Sequence, residues 1–231
     1  MLLERPPHNQ DRAQLETDFG NLVGLPPLIK HRTFLWPALE SAPLIPDAFI
    51  RAGYDFREST VLIARPADLI APSQAKREVT IRRYTHAADW ADWKAMQMAE
   101  NAGNFPEQEF LSYLAGLQAM YPQMITDDKG GWWGAFIADK QVANLGMFFT
   151  GETGRFQAVF TQPPYRNQGI CRALVHHVAA DAFRRAERLV MVADEKYHAA
   201  RLYETLGFQR QERMASLCWW PRTDFKPSEK K

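Results

Sequence analysis

The sequence predicts an α/β (α+β) fold in which helices flank a mixed sheet. Two observations predict this class. After residue 78, strand-like segments and segments of helical periodicity follow one another in the order β-α-α-β-β-β-α-β-α-β. The 231 residues are also 46% hydrophobic and 12% aromatic, so the chain has enough apolar side chains to bury a sizeable core.

The chain divides into five predicted segments. Residues 1–20 are polar and without a clear period, so we expect a loose arm. Residues 21–65 form a small αβ unit, and residues 66–78 form a linker with two prolines and clustered charge. Residues 79–220 hold the remaining elements as the main domain, and residues 221–231 are a solvated tail. The small unit is too short to form an independent core, so we expect it to pack against the main domain.

Three elements are predicted in the small unit. Thr33–Leu39 reads as a strand, which Pro37 restricts to a sheet edge or a bulge. Ile45–Gly53 is a short helix that stops at its glycine, and Ser59–Arg65 is a strand rich in β-branched and aliphatic residues. The helix-glycine-strand order of Ala48–Ile63 recurs in Leu202–Leu217. Either the small unit is a shrunken copy of the later segment, or the echo is chance.

The main domain begins with a strand and two helices. Val79–Thr85 alternates like a strand, His86–Asn101 is a helix, and a second helix opens at Pro106. Pro122 is expected to kink or end that second helix. Its apolar stripe, spaced 4,3,4,3, consists of Phe110, Leu114, Leu117, Tyr121 and Met124.

The rest of the main domain is rich in strands. A hairpin turn is expected at Asp139 and Lys140. Arg188–Ala193 is fully apolar, as in a strand that is buried on both faces. The other predicted strands are Gly131–Asp139, Gln141–Thr150, Arg155–Thr161 and Phe208–Trp220, and the predicted helices are Gln168–Arg185 and Tyr197–Gly207.

Composition excludes several classes of function. With 28 basic and 27 acidic residues, the net charge is +1, which gives no electrostatic reason to expect nucleic acid or an anionic membrane as partner. Cys171 and Cys218 make neither a disulfide framework nor a metal-ligand set. The polar start is unlike a signal peptide, and no apolar run reaches membrane-spanning length. We therefore expect a cytoplasmic protein without a metal.

The junction between the strand Arg155–Thr161 and the next helix has the composition of an anion site. It reads YRNQGICRALV from Tyr165 to Val175. A helix start offers unpaired N–H groups and the positive end of the helix dipole, and Gly169 allows close approach to the backbone. The segment lacks the Gly-Lys-Ser/Thr ending of a P-loop and the G-x-G-x-x-G of a dinucleotide fold. An ordinary helix N-terminus remains an equal alternative.

Two segments, in this order, carry a resemblance to a known family. They are AVFTQPPYRNQGICRALV and AARLYETLGF, about 30 residues apart with an apolar strand between them. Over Val79–Trp220, about 140 of the 231 residues, the chain resembles the GNAT superfamily of acyl-CoA-dependent N-acetyltransferases. The resemblance implies a mostly antiparallel sheet with splayed central strands. The small N-terminal unit resembles the degenerate first half of some GNAT proteins.

The resemblance also implies roles for particular residues. The pantetheine arm of acetyl-CoA would pair with the backbone of Val159, Phe160 and Thr161, where an N–H would stabilise the oxyanion. Tyr203 would protonate the leaving thiolate, although a core aromatic with a satisfied hydroxyl is the alternative. The residues implied to hold the pyrophosphate and neighbouring parts of the cofactor are Arg166, Asn167, Gln168, Gly169, Ile170, Cys171, Arg172 and Ala200.

The sequence departs from the family pattern at three places. Cys171 stands where the family prefers Gly or Ala, and Tyr197 stands where Asn is common. The strand Arg155–Thr161 has no carboxylate, whereas family members often keep a Glu there as general base. The amine could lose its proton through water or arrive neutral. The residues that could otherwise supply a base, each more typical of a solvated surface, are Glu100, Glu107, Asp194 and His198.

These features predict an enzyme that moves an acetyl group from acetyl-CoA to a primary amine, on a small-molecule acceptor, by direct attack. The missing carboxylate motivates a second hypothesis, an acyl-CoA-binding or protein-interaction module with little or no turnover. An α/β protein without a cofactor is the third. The expected partners are acetyl-CoA and an amine acceptor, with a homodimer left open.

Overall fold

The computed structural model describes residues 1–25, 29, 31–38, 45–73, 78–101, 105–195 and 199–220. The helices in these residues are α1 (Arg12–Leu22), α2 (Asp47–Arg51), α3 (Ala87–Asn101), α4 (Glu107–Thr126), α5 (Ile170–Ala182) and α6 (Ala199–Glu204). The strands are β1 (Arg32–Pro37), β2 (Asp55–Ala64), β3 (Thr80–Arg83), β4 (Gly130–Ile137), β5 (Lys140–Thr150), β6 (Thr153–Thr161), β7 (Arg188–Asp194) and β8 (Gln209–Trp219). From β3 onward this is the predicted order.

The eight strands form one sheet in the order β1-β8-β2-β7-β6-β5-β4-β3. The pairs β1–β8, β3–β4, β4–β5 and β5–β6 are antiparallel, and β6–β7 is parallel. The mixed, mostly antiparallel sheet with flanking helices confirms the predicted fold class. β1 lies at one end of the strand order, which is the edge position that Pro37 requires.

The chain folds into two compact units. One comprises Met1–Leu62, Val192–Ala200 and a C-terminal segment that starts at Arg210, and the other comprises Ile63–Met191 and Arg201–Gln209. In this division, β8 and Val192–Ala200 group with the N-terminal residues, whereas the prediction placed them with the rest of residues 79–220. The reason is the strand pairing of the first unit, in which β8 lies antiparallel to β1 from Arg32↔Trp219 to Pro37↔Met214. The linker at 66–78 remains a prediction, since residues 74–77 lie outside the described part.

The first unit has an aromatic core that begins earlier in the chain than predicted. Residues 1–20 were expected to be a loose arm, but they contain most of α1. Phe19 of that helix is buried, and its ring meets Phe34 of β1 edge-to-face at 5.8 Å. Phe49 and Tyr54 also belong to the cluster, with Trp36, Ala38, Ala215 and Leu217. Phe19 and the partly buried Leu15 therefore pack α1 onto this core, although most residues of the helix are polar.

The second unit packs α3 and α4 onto β4 through a cluster of large aromatics. Trp93, Leu114, Tyr121 and Trp132 are buried there. Of the two effects expected of Pro122, a kink or an end of the helix, the end does not occur, because α4 continues to Thr126. A proline inside a helix costs about 3 kcal/mol, and the packing of the residues around it offsets this cost. Those partly buried residues are Leu117, Met124 and Ile125.

Other boundaries differ from the prediction by a few residues. The hairpin turn lies at Ala138 and Asp139, both with positive φ, and Lys140 already belongs to β5. Such φ values are those of a two-residue primed turn, which matches the twist of a hairpin. β7 is buried on one face and not on both, since its residues alternate and Val192 is 42% exposed. α5 is shorter than predicted at both ends.

None of the helices in the described residues is long and apolar enough to cross a membrane. Within the same residues, no group of three or more His, Cys, Asp or Glu side chains is arranged to hold a metal ion.

Asp89 should stabilise the start of α3 in a pH-dependent way. Its buried carboxylate accepts hydrogen bonds from Arg82 Nη2 at 2.7 Å and from the backbone N–H groups of Thr85 and His86. Burial raises the pKa of Asp89, but these hydrogen bonds outweigh burial and lower the pKa to about 2. A depressed pKa contributes stability that is present above the unfolded-state value of about 3.9 and is lost as pH falls toward 2.

Asp89→Asn is therefore expected to lower the free energy of unfolding by about 2 kcal/mol at pH 7, and by clearly less at pH 3. Urea denaturation at the two pH values measures this. Asp181→Asn is the control, because Asp181 forms an exposed pair with Arg184 at 3.7 Å, which should contribute little. An equal loss for Asp89→Asn at both pH values would point to packing and contradict the electrostatic account.

Candidate active site

Strands β6 and β7 separate partway along their length. Their parallel pairing begins at Thr153↔Arg188 and ends at Arg155↔Val190. β6 itself continues to Thr161, and the described residues show no further pairing between the two strands. The structure therefore has the splayed pair of strands that the resemblance implies. Backbone groups on the β7-facing edge of β6 are left for another partner.

A β-bulge lies in β6 just beyond this separation. Gly146 of β5 pairs with Gln157, whereas Asn144 pairs with Phe160, so the register shifts by one residue. Ala158 has φ +46°, a left-handed conformation that a non-glycine residue seldom adopts. A bulge leaves its extra residue outside the regular ladder and often lies beside an active site. Sequence reasoning missed the bulge, because no glycine or proline marks it.

The end of β6 carries an unsatisfied polar group. The Thr161 hydroxyl oxygen is buried, and it has no hydrogen-bond partner of normal geometry among the described residues. The Thr161 carbonyl accepts a hydrogen bond from Arg166 Nε at 3.0 Å, so the guanidinium is held against the strand end. A buried hydroxyl without a partner costs stability, and a bound ligand would relieve that cost.

The loop after β6 turns into α5 through two residues with positive φ. Asn167 has φ +59° and Gly169 has φ +82°. Gly169 is the N-cap of α5, and its carbonyl accepts the Ala173 N–H at 3.0 Å. The backbone N–H groups of residues 167–172 find no acceptor within the described part of the chain. Unpaired N–H groups at the positive end of a thirteen-residue helix make a site for an anion such as a phosphate.

Two arginines add positive charge to this loop. Arg166 is 39% exposed at its side chain, stands about 6.0 Å from the Phe160 ring, and lies 3.4 Å from Glu100 of α3. Arg172 lies in the first turn of α5, next to Cys171. The exposed ion pair between Arg166 and Glu100 is weak, so a phosphate can replace Glu100 as the partner of Arg166.

Cys171 is accommodated as a neutral thiol. Burial raises the pKa of the Cys171 thiol to about 11, and the neighbouring Thr161 hydroxyl and Arg172 guanidinium oppose this with smaller effects. The nucleophilic form of cysteine is the thiolate, so the residue is unreactive at neutral pH. Its place in the loop is compatible with a small neutral side chain.

Tyr203 is buried in α6 and joined to β6 by ring contacts. Its ring meets Phe208 at 6.3 Å, and Phe208 meets Phe156 of β6 at 5.9 Å. Phe156 directly follows the last residue that pairs with β7. The buried ring also fits the alternative of a core aromatic, so the acid role stays a prediction. Ala200, in the first turn of α6, is also buried.

The turn after α6 requires its glycine. Gly207 has φ +94°, and a Cβ atom there would overlap the Asp68 carbonyl oxygen. The N–H groups of Leu206 and Phe208 both bond to the Tyr203 carbonyl. The Gly-Phe ending of the second motif therefore closes the helix and places Phe208 against Tyr203.

A tyrosine-glutamine pair was missed by sequence reasoning. Gln157 Nε2 donates a hydrogen bond to the Tyr121 hydroxyl at 3.3 Å. Tyr121 is buried in α4 between Trp132 at 4.6 Å and Phe148 at 5.6 Å. Burial raises the pKa of Tyr121, and the bond from Gln157 partly opposes this. The helical spacing of Tyr121 predicts that its ring lies in the core. Spacing does not show which side chain forms a hydrogen bond with its hydroxyl.

The candidate bases that lie in the described residues are on three separate elements. Glu100 pairs with Arg166 at the loop, at the far end of β6. Glu107 is exposed in the first turn of α4, and Asp194 is exposed at the end of β7. His198 lies outside the described residues, as does Tyr197.

Comparisons with known proteins relate one segment of the chain to a family of acetyltransferase domains. A family model described as an acetyltransferase (GNAT) domain matches residues 128–210, which include β4 to β7, the loop and α6. A search of curated proteins found no significant match.

Several solved structures share the fold. A functionally unknown conserved protein from Staphylococcus epidermidis is 17% identical, with a TM-score of 0.67 over 94% of this chain and 82% of that one. A GCN5-related N-acetyltransferase from Kribbella flavida is 15% identical, with a TM-score of 0.59 over 93% and 75%. One from Sphaerobacter thermophilus is 19% identical, with a TM-score of 0.59 over 92% and 69%.

The matched domain, the shared fold and the loop geometry agree with one another. GNAT proteins transfer acyl groups, so acetyltransferase activity is the general class that the match supports. Residues 128–210 therefore match a GNAT acetyltransferase domain, and the described chain shares its fold with solved GCN5-related N-acetyltransferases.

Proposed function

We propose that this protein transfers an acetyl group from acetyl-CoA to a primary amine of a small-molecule acceptor by direct attack. One observation carries the proposal. β6 leaves β7 at a bulge, and the same strand leads into a loop whose consecutive unpaired N–H groups open α5. A strand edge without a partner suits the amide-bearing pantetheine arm, and the loop suits the pyrophosphate at the other end of the same donor.

The residues of the loop would bind the donor's phosphates. Gly169 lets the phosphates approach the backbone, and the N–H groups of residues 167–172 would donate hydrogen bonds to them. Arg166 would exchange Glu100 for phosphate, and Arg172 would add a second charge. The Thr161 hydroxyl is the buried group whose missing partner a ligand at this edge would supply.

The residues around the bulge would promote the transfer. An N–H in Val159–Thr161 would stabilise the thioester oxygen as negative charge develops on it. Tyr203 would donate its phenolic proton to the sulfur as the C–S bond breaks. The contact with Phe208, which itself packs on Phe156, supports a position for Tyr203 close to β6.

A module that binds acyl-CoA with little turnover is the second candidate function. It is favoured by the absence of a carboxylate from β6, where Gln157 donates to Tyr121 instead of accepting a proton. Such a module would keep the phosphate loop and the splayed strands, so it would bind the donor as an enzyme does. Turnover is what separates the two functions.

We expect acetyl-CoA and CoA to raise the melting temperature, and ATP and NAD at the same concentration to raise it much less. A ligand that binds only the folded state stabilises it by about 2.7 kcal/mol at a hundredfold excess over Kd. Release of free CoA thiol in the presence of a panel of primary amines then measures transfer. Binding without transfer to any amine would favour the module. No shift with millimolar acetyl-CoA would contradict both functions.

A further inference from the structure

Gln157 lies on the strand where the related proteins often keep a glutamate as general base, and it forms a hydrogen-bonded pair with Tyr121 of α4. Gln157 is the last paired residue of β6 before the bulge at Ala158, so its side chain lies next to the backbone proposed to hold the thioester. The amide nitrogen is engaged by the Tyr121 hydroxyl at 3.3 Å, which fixes the orientation of the side chain. The amide oxygen has no hydrogen-bond partner among the described residues, and Gln157 is partly exposed. An oriented oxygen acceptor is therefore available to a ligand.

We propose that this oxygen receives the N–H of the acceptor amine, and that the acceptor is a weakly basic amine which reaches the site already neutral. This inference rests on the proposed acetyl transfer and names the substrate class for it. Gln157 and Tyr121 are positioning residues in this account. They orient the amine nitrogen toward the carbonyl carbon and take no proton from it.

The proton balance of the reaction supports a neutral amine. When a neutral amine attacks, the new C–N bond forms, the C–S bond breaks, and one proton leaves the nitrogen. The sulfur gains one proton, which Tyr203 supplies and recovers from the nitrogen through solvent. No proton accumulates, so no further base is required. An ammonium acceptor carries one more proton, and a general base has to remove it before attack.

Among the residues that the structure describes, the groups acting on Tyr121 do not include such a base. The charged and titratable groups acting on Tyr121 are Tyr113 on its own helix and Arg155 on β6, with Gln157 as its neutral hydrogen-bond partner. On the neighbouring strands, Asn144, Gly146 and Trp132 are neutral. Tyrosine and arginine do not accept a proton from an amine near neutral pH.

The cost of lacking a base depends strongly on the amine. At pH 7, about one in 2,500 molecules of an amine like the lysine side chain is neutral, against roughly one in seven for an ordinary α-amino group. The neutral fraction alone therefore favours the weaker base by several hundredfold. An acceptor such as an aromatic amine is almost wholly neutral at this pH.

The test compares two amines of similar size, aniline and benzylamine, with the wild-type protein and Gln157→Glu. In the wild type, kcat/KM for aniline should be nearly flat from pH 6 to 9, while kcat/KM for benzylamine should rise close to tenfold per pH unit. In Gln157→Glu, a carboxylate stands where the amide was. We expect benzylamine turnover at pH 7 to increase at least ~10-fold, since general base catalysis contributes ~100- to 10,000-fold.

Two controls accompany the test. Gln108→Glu makes the same change of charge at an exposed position in the first turn of α4 and should leave both amines unaffected. Tyr121→Phe keeps the buried ring but frees the amide, and should raise KM for the amine while the acetyl-CoA shift is retained.

Four outcomes would overturn the inference. A wild-type kcat/KM for benzylamine that stops rising near neutral pH, well below the pKa of the free amine, would show that a group of the protein removes the proton. No gain for benzylamine in a folded Gln157→Glu would show that this side chain does not face the amine. If neither protein acetylates either amine although other amines of the panel are acetylated, the substrate class is wrong and the proposed transfer stands. If no amine of the panel is acetylated although acetyl-CoA binds, the proposed transfer fails, and the inference fails with it. The pH dependence of kcat/KM in the wild-type protein requires no variant, so it still tests the inference if Gln157→Glu does not fold.

Discussion

Gly169→Glu is expected to abolish binding of acetyl-CoA and CoA. Gly169 has φ +82° at the N-cap of α5, so a side chain there costs roughly 1–2 kcal/mol in backbone strain. The added carboxylate would also stand against the phosphates, and like charges in contact cost several kcal/mol. Together these effects predict at least ~100-fold weaker binding, since each 1.4 kcal/mol is tenfold. Isothermal calorimetry with CoA measures the change.

Gly151→Glu is the matched control for this variant. Gly151 also has positive φ, +55°, and lies in the turn between β5 and β6 with open space around its Cβ position. The control therefore carries a similar backbone strain and the same added charge, away from the loop. Gly169→Ala separates strain from charge, because it keeps only the former. If Gly169→Glu melts cooperatively and binds CoA within threefold of the wild type, the pyrophosphate assignment is wrong.

Tyr203→Phe is expected to lower kcat by ~100- to 10,000-fold, the range for loss of a general acid or base. Phenylalanine keeps the ring contact with Phe208, so the fold and the melting-temperature shift with acetyl-CoA should be retained. The measurement is kcat for the best amine of the panel, together with the shift. A loss in kcat without a loss of binding separates an acid in the reaction from a group that merely holds the donor.

Tyr113→Phe is the control for this second change. Tyr113 is exposed on α4, and removal of its hydroxyl should alter kcat less than twofold. If Tyr203→Phe lowers kcat by as little as the control does, Tyr203 is not the general acid. The tyrosine would then be the core aromatic that its burial alone suggests.

The local signals in the sequence were sufficient for the loop but not for its surroundings. The strand Arg155–Thr161, Gly169 and the two arginines are consecutive in the chain, and helix starts and tight turns depend on nearby residues. The Tyr121–Gln157 pair joins residues 36 positions apart. Such a contact depends on how α4 packs against the sheet. Helical spacing shows which face of α4 is buried, but it does not show which side chain of the sheet the Tyr121 hydroxyl contacts.

Helices α4 and α1 also differ from what their local sequence predicts, because tertiary packing stabilises them. Pro122 is a local helix breaker, yet α4 continues through it because the residues around it pack into the aromatic cluster. α1 lacks a local apolar signal, yet Phe19 holds it against Phe34. In both cases, burial of apolar surface outweighs a local preference of a few kcal/mol.

The sequence by itself determined the order of elements after residue 78, the resemblance to the GNAT superfamily, the loop with Gly169, and the absence of a carboxylate from β6. These features depend on side-chain identity and short-range backbone chemistry, which are fully present in the linear chain. The tertiary structure alone decided the bulge at Ala158, the point where β6 leaves β7, and the pairing of β8 with β1. It did so because strand register and ring contacts arise from packing between residues that are distant in the chain.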